Sequence, residues 1–217
     1  MDTAGAPSSD ATTISLSQTE RLNGRENFDF YCGLILPFIE SSWLGAISLL
    51  MLCPPDSGTH TSEGSLELKQ AQDAAQLLGK TLYHQGDLSY FEAVNKETLR
   101  NSYVRSEEEG IIIVSKPKDS KAPPQVRLAP EWTPKRDYEG KLVAEGKLWE
   151  LCERIGQGRR EGENRRDEAT VRSRVLGLVE MVGSKLWQGS QVQPATSAEG
   201  VALKARRRRA LQTTPRL

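Results

Sequence analysis

The sequence is poor in the residues that most often carry chemistry. It has two histidines, three cysteines and three methionines in 217 residues, and only 6% of residues are aromatic. Cys32, Cys53 and Cys152 are odd in number and widely spaced, which excludes a disulfide framework and a C-x2-C zinc pair; reduced thiols in an intracellular compartment are expected. No apolar h-region occurs in Met1–Asn27, so a secretory signal is not expected. There is no Gly-rich phosphate loop: Gly156-Gln-Gly158 runs into Arg159-Arg160-Glu161 with no Lys-Ser/Thr behind it. No cluster has metal-ligand spacing, so no metal and no cofactor is expected. Net charge is lacking too: 29 Lys+Arg balance 29 Asp+Glu, against a chain globally tuned for nucleic acid.

That neutrality is a cancellation. From Gln188 onward the charges are Lys204, Arg206, Arg207, Arg208, Arg209 and Arg216 against Glu199, net +5, which leaves −5 for the rest. Three segments follow from composition. Residues 1–27 are polar with too little apolar surface to offset ordering, so disorder is expected. Residues 28–187 carry the apolar periodicity and form the domain. Residues 188–217 are expected to be a disordered basic tail. Arg206–Arg209 could meet nucleic acid, an import receptor or an anionic membrane surface. The last three residues, Pro215, Arg216 and Leu217, have the shape of a peroxisomal C-terminal address, with Pro in place of its small first residue.

The most apolar stretch is Phe28–Cys53. Its length would span a bilayer, but Pro37, Glu40, Ser41 and Ser42 lie inside it, and a carboxylate at membrane depth is costly. Leu36, Ile39, Trp43, Ile47 and Leu50 recur at three- and four-residue spacing, one face of a helix that packs on a core, a partner or a membrane. Pro54-Pro55 ends it.

A second helix is predicted over Glu67–His84, with Leu68, Ala71, Ala74, Ala75, Leu78 and Leu82 on one stripe. Asn95 N-caps a third that runs to Glu109, and Gly110 stops it. Ile111–Val114 and Gln125–Leu128 read as two strands of an antiparallel hairpin. A helix is expected over about Asp137–Ile155. The connector 156–169 reads as solvated and self-pairing, its Arg159, Arg160, Arg165 and Arg166 balanced by Glu161, Glu163, Asp167 and Glu168. A last helix carries Val171, Val175, Leu178, Val179, Val182 and Leu186 and ends at Trp187. The fold class is mainly α: a helical bundle with one small β-hairpin, whose α-α-β-β segment is winged-helix-like.

The two histidines decide whether general-base chemistry is available. His60 lies in a Ser/Thr/Gly loop and His84 at a helix end with Asp87 three residues on. Capping or surface roles fit both, and neither has a Cys close in sequence.

The ordered series FDFYCGLILPFIESSWLGAISLLML and DAAQLLGKTLYHQGDLSYFEAVNKETLRNSYVRSEEEGIIIV resembles the C-terminal region of glycerol-3-phosphate and dihydroxyacetone-phosphate acyltransferases. The resemblance covers about Phe28–Glu131, with Tyr138–Trp187 as its continuation. It implies a link to enzymes that esterify a phosphorylated three-carbon alcohol from acyl-CoA at a membrane surface. Their catalytic H-x4-D pair belongs to an upstream domain. Here Ser65 follows His60 by five residues and Ser89 follows His84 by five, so no catalytic residue transfers. The resemblance therefore implies a detached, non-catalytic accessory domain, a short protein or a fragment. Its expected partner is an acyltransferase catalytic domain or a membrane surface, in glycerophospholipid or ether-lipid synthesis, at an intracellular membrane, with peroxisomes as the location that the C-terminal tripeptide would give. The alternative is a winged-helix nucleic-acid binder reading with Asn95–Glu109, with Lys116–Lys121 as its wing. Lys96, Arg100 and Arg105 are outnumbered there by Glu97, Glu107, Glu108 and Glu109, so nucleic acid is not expected as a partner.

Overall fold

The computed structural model describes residues 15–55, 64–116, 122–159 and 168–191. It divides into two compact units at Leu36 and Pro37. In the first unit, helix α1 (Gln18–Leu22) is capped by Ser17, whose hydroxyl accepts from Glu20 N at 3.1 Å. This short helix falls inside the polar leader of residues 1–27. Helix α2 (Glu26–Leu49) follows, with Glu26 and Asp29 in its first turn, where carboxylates suit the positive end of the helix dipole. Glu20 bonds Asn27 Nδ2 and Phe28 N, and these donors lower its pKa.

The second unit holds the hydrophobic core. The later part of α2 is buried on every side from Trp43, through a 3-10 turn at Leu50–Leu52, to Cys53. An apolar run with no polar face is what a central helix requires. Strand β1 (Leu66–Glu67) leads into α3 (Leu68–His84), whose Ala71, Ala75, Leu78 and Leu82 are buried as their spacing predicts. A 3-10 turn, Phe91–Val94, precedes α4 (Lys96–Glu108). Asn95 caps α4 by accepting from Glu97 N at 2.8 Å, and Gly110 ends it at φ +71°, a conformation that costs a side-chain-bearing residue.

Strands β2 (Ile112–Ser115) and β3 (Gln125–Leu128) pair antiparallel, Ile112 opposite Leu128 and Ser115 opposite Gln125. The sheet has a third strand that the pattern did not announce. β1 pairs antiparallel with β3, Leu66 opposite Val126, giving the order β1-β3-β2. Helix, strand, two helices and two strands in this order, with the first strand against the last, complete the winged-helix layout. The fold is mainly helical with one small antiparallel sheet.

The helix expected over Asp137–Ile155 is much shorter. α5 is Lys147–Gly156, and residues 136–146 form a loop instead. Asp137 Oδ1 accepts from Glu139 N and Lys141 N, closing an Asx-type turn, and Arg136 bridges Leu142. Gly146 lies at φ +94°, outside helical geometry, so the helix starts only after it. Helix α6 (Glu168–Gln191) continues past Trp187. Val175, Leu178, Val179 and Val182 are buried, and Trp187 Nε1 donates to Met51 O at 3.0 Å.

Candidate docking surface and buried ionic junction

Two arrangements stand out among the described residues: a run of exposed apolar side chains on α2, and a cluster of charges in the second unit.

Along α2, the residues picked out by helical spacing are largely consumed by the fold. Leu36, Trp43, Ile47 and Leu50 are buried and Ile39 is partly buried. On α2 the exposed large apolar side chains of the first unit are Phe28, Phe30, Tyr31, Leu34 and Ile35, the last four at 54–63% exposure. At 100° per residue Phe30, Leu34, Tyr31, Ile35 and Phe28 fall within one arc of about 160°. In the second unit Phe38 is exposed as well. Helical spacing had marked α2 as a packing element. Its solvent-facing residues were missed because every residue of an all-apolar run scores alike, and only burial separates the faces.

The ionic junction begins at Glu40, 1% exposed. Both carboxylate oxygens accept Ser89 N–H, at 2.9 and 3.0 Å, and Oε2 accepts Tyr90 N–H at 2.9 Å. Arg159 closes over this carboxylate with Nη2 at 3.8 Å from Oε1. Its guanidinium carbon lies 3.8 Å from the centre of the Trp43 ring, a cation–π stack, and Nη2 also donates to the Asp87 carbonyl. Burial pushes the Arg159 pKa down, opposed by Glu40 and Asp87. Asp87 in turn is held by Arg174 of α6 through two bonds, Nε to Oδ2 at 3.0 Å and Nη2 to Oδ1. Arg159 therefore does not belong to a solvated, self-pairing connector. Trp43 and Glu40 give it a largely buried seat, where two carboxylates and an aromatic face offset its desolvation. Arg160, Arg165 and Arg166 lie outside the described residues.

A second polar clamp ties residues 136–142 to Pro54 and to Glu180 of α6. Arg136 donates to Gly140 O, Pro54 O and Glu180 Oε1, and Glu180 also accepts Leu142 N–H at 2.6 Å. The adjoining cleft, lined by Cys53, Arg136, Glu180 and Ser184, is about 190 Å³. That is below the usual size of a small-molecule site and far too small for an acyl-CoA. Burial raises the Cys53 thiol pKa despite the nearby Arg136.

The candidate catalytic groups do not assemble. His84 is exposed at the end of α3, edge-on to Tyr83, while Asp87 is committed to Arg174. His60 lies outside the described residues. No group of three or more metal-ligating side chains occurs among the described residues. Pro215, Arg216 and Leu217, and the Arg206–Arg209 quartet, also lie outside them. On α4 the carboxylates of Glu107, Glu108 and Glu109 are exposed, with Glu109 paired to Arg105 at 2.8 Å.

Glu40 joins the two stretches of sequence quoted above: it ends LILPFIE and holds the LSYF segment by its backbone. Comparison with known proteins bears on that pairing. No curated protein and no solved structure matches the chain. A family model does, the glycerol-3-phosphate acyltransferase C-terminal region, over residues 2–115, a little over half of the sequence. On that match, the chain belongs to the family of the glycerol-3-phosphate acyltransferase C-terminal region.

Proposed function

We propose that this chain is a non-catalytic accessory module of glycerol-3-phosphate acyltransferase type, serving glycerophospholipid or ether-lipid synthesis at a membrane. The observation that carries the reading is the combination of family membership with missing chemistry. No H-x4-D pair occurs in these 217 residues, and Asp87, the carboxylate nearest His84 in sequence, is bonded to Arg174. The module works by contact: it packs against an acyltransferase catalytic domain or rests on a membrane surface. Helix α2 with its continuation, Glu26–Leu52, has the length and hydropathy of a membrane span, but 67% of its apolar window is buried in the fold. Contact at the membrane is thus peripheral in this reading. Peroxisomal delivery through Pro215, Arg216 and Leu217 is part of the proposal; removing the three residues should redistribute the protein, and an unchanged location would refute the address.

The decisive test is acyl transfer from acyl-CoA to glycerol 3-phosphate or dihydroxyacetone phosphate by the purified chain. No turnover is expected. Turnover abolished by His84→Ala would overturn the non-catalytic reading.

A second reading, nucleic-acid binding, draws support from the winged-helix strand order β1-β3-β2. The charge on α4 opposes it, since Lys96, Arg100 and Arg105 are cancelled by Glu97, Glu107 and Glu108. Tight DNA binding that weakens steeply with salt would establish it; weak or salt-insensitive binding would dismiss it.

A further inference from the structure

We infer that Glu40, the Trp43 ring and the Asp87 carbonyl form a recognition pocket for a guanidinium group, which the chain keeps closed with its own Arg159. The short strap Gly156-Gln157-Gly158-Arg159 carries that side chain in, and the ligand that replaces it is another arginine. All of these residues belong to the second unit.

The walls of the pocket are held in place without Arg159. Glu40 is 1% exposed, and the N–H groups of Ser89 and Tyr90 aim its carboxylate from 2.9–3.0 Å. Two N–H donors leave part of a carboxylate's acceptor capacity, about four lone-pair sites, unused. Trp43 presents a ring face to the same space and Asp87 a carbonyl oxygen. Negative charge, a flat aromatic face and acceptors together select a planar cation with N–H groups at its edge. An ammonium has the charge but no face to stack.

The strap is shaped to reach this space. Beyond Gly156, the last residue of α5, Gly158 N donates to Ile155 O and Arg159 N to Gly156 O, both at 3.0 Å, so the chain turns tightly. A Cβ at Gly156 would lie 3.4 Å from Trp43 Nε1, and one at Gly158 would lie 3.4 Å from Ile39 Cγ2. Glycine at both positions lets the backbone lie close against α2. The Gly-x-Gly spacing that fails as a phosphate loop thus serves to deliver an arginine.

Arg159 underuses what the pocket offers. Its Nη2 stays 3.8 Å from Glu40 Oε1, whereas a guanidinium–carboxylate hydrogen bond closes to about 2.7–2.9 Å. Its Nε is buried with no hydrogen-bond partner among the described residues, a cost that the tethered side chain bears. A guanidinium free to settle against Glu40 makes the bonds that Arg159 leaves unmade, so the strap is displaceable.

The test titrates the full chain carrying Arg159→Ala with methylguanidinium, read at the Ser89 and Tyr90 amide signals by NMR and by melting temperature. The variant should melt below wild type. Millimolar methylguanidinium should shift both amides saturably and recover at least half of the lost melting temperature. Methylammonium and sodium chloride at the same concentration should do neither. In wild type the two amides should not respond, because Arg159 fills the site. Should Arg159→Ala not fold unaided, circular dichroism reads the same question: methylguanidinium, and not methylammonium, should restore the helical signal. No saturable shift and no recovery, or equal recovery by methylammonium, would make Arg159 an ordinary ion-pair partner and overturn the inference. A wild type that responds as strongly as the variant would overturn it too. The replacing arginine can come from a partner protein or from the chain's own Arg206–Arg209, so the variant is titrated with and without residues 188–217. Half-saturation at lower methylguanidinium without the tail assigns the tail as the competing source; an unchanged value assigns a partner.

Discussion

Glu40 and Ser89 stand 49 residues apart in the chain, yet both carboxylate oxygens of Glu40 accept the Ser89 N–H, and Oε2 accepts Tyr90 N–H as well. A buried side chain thus caps the backbone of the turn that leads into Phe91–Val94, doing from another helix what an N-cap residue does locally. Arg159 supplies the countercharge and Trp43 the platform beneath it.

Glu40→Ala should therefore be among the most costly substitutions in the molecule. It strands two backbone N–H donors and leaves the largely buried Arg159 without its carboxylate. A loss of about 3–5 kcal/mol is expected from breaking a buried, hydrogen-bonded charge. Urea denaturation monitored by circular dichroism measures it; a change below about 0.5 kcal/mol would show that the junction is not a stabilising element.

The Asp87–Arg174 pair ties α6 to the loop after α3. A double-mutant cycle with Asp87→Asn and Arg174→Gln should return a coupling of about 0.5–3 kcal/mol, since both groups contribute to one network. Purely additive effects would contradict the contact.

Tyr103 is buried, its hydroxyl 3.1 Å from Ser48 Oγ, and burial pushes its pKa up to about 12 from 10. The folded state then keeps a proton that the unfolded state releases above pH 10. Stability from this group is fully present below pH 10 and falls as pH rises towards 12, by about 1.4 kcal/mol per pH unit. Urea midpoints between pH 9 and 11 should show the decline, and Tyr103→Phe should flatten it. An unchanged slope in the variant would assign the loss to other groups.

Thiol reactivity should follow burial. Burial raises the pKa of Cys152, and Cys53 is raised as well, while Cys32 is partly exposed. A thiol reagent at pH 8 should label Cys32 fast and the other two only on unfolding. Rapid labelling of Cys152 in the folded protein would refute its placement.

Gly79 has no room for a larger residue. A Cβ there would sit 2.5 Å from Leu44 Cδ2 and 3.1 Å from Val94 Cγ1. Gly79→Ala should cost about 1–3 kcal/mol through overpacking, even though alanine is the better helix former. A stabilised variant would mean that the α2–α3 contact yields more easily than the packing implies.

Sequence by itself determined the features that are local. The stripe through Ala71, Leu78 and Leu82, the Asn95 cap, the Gly110 stop and the pairing of Ile112–Ser115 with Gln125–Leu128 all depend on neighbours a few residues away. The ordered run of apolar segments was enough to suggest the acyltransferase family, which the family match then showed. Local signals also misled where they conflicted. Leu142 and Leu148 suggested one helix, but the Asp137 turn and Gly146 interrupt it.

Only the tertiary structure decided what meets across the chain. β1 is two residues long, too short for any alternation, and exists because Leu66 finds Val126. Arg159 read as one charge among eight in a connector. Its burial depends on Glu40, Trp43 and Asp87, which lie 72 or more residues away in sequence. The two faces of α2 were equally apolar as text. Within the second unit Trp43, Ile47 and Leu50 are buried while Phe38 is exposed, because burial is a property of what packs against a helix and not of the helix alone.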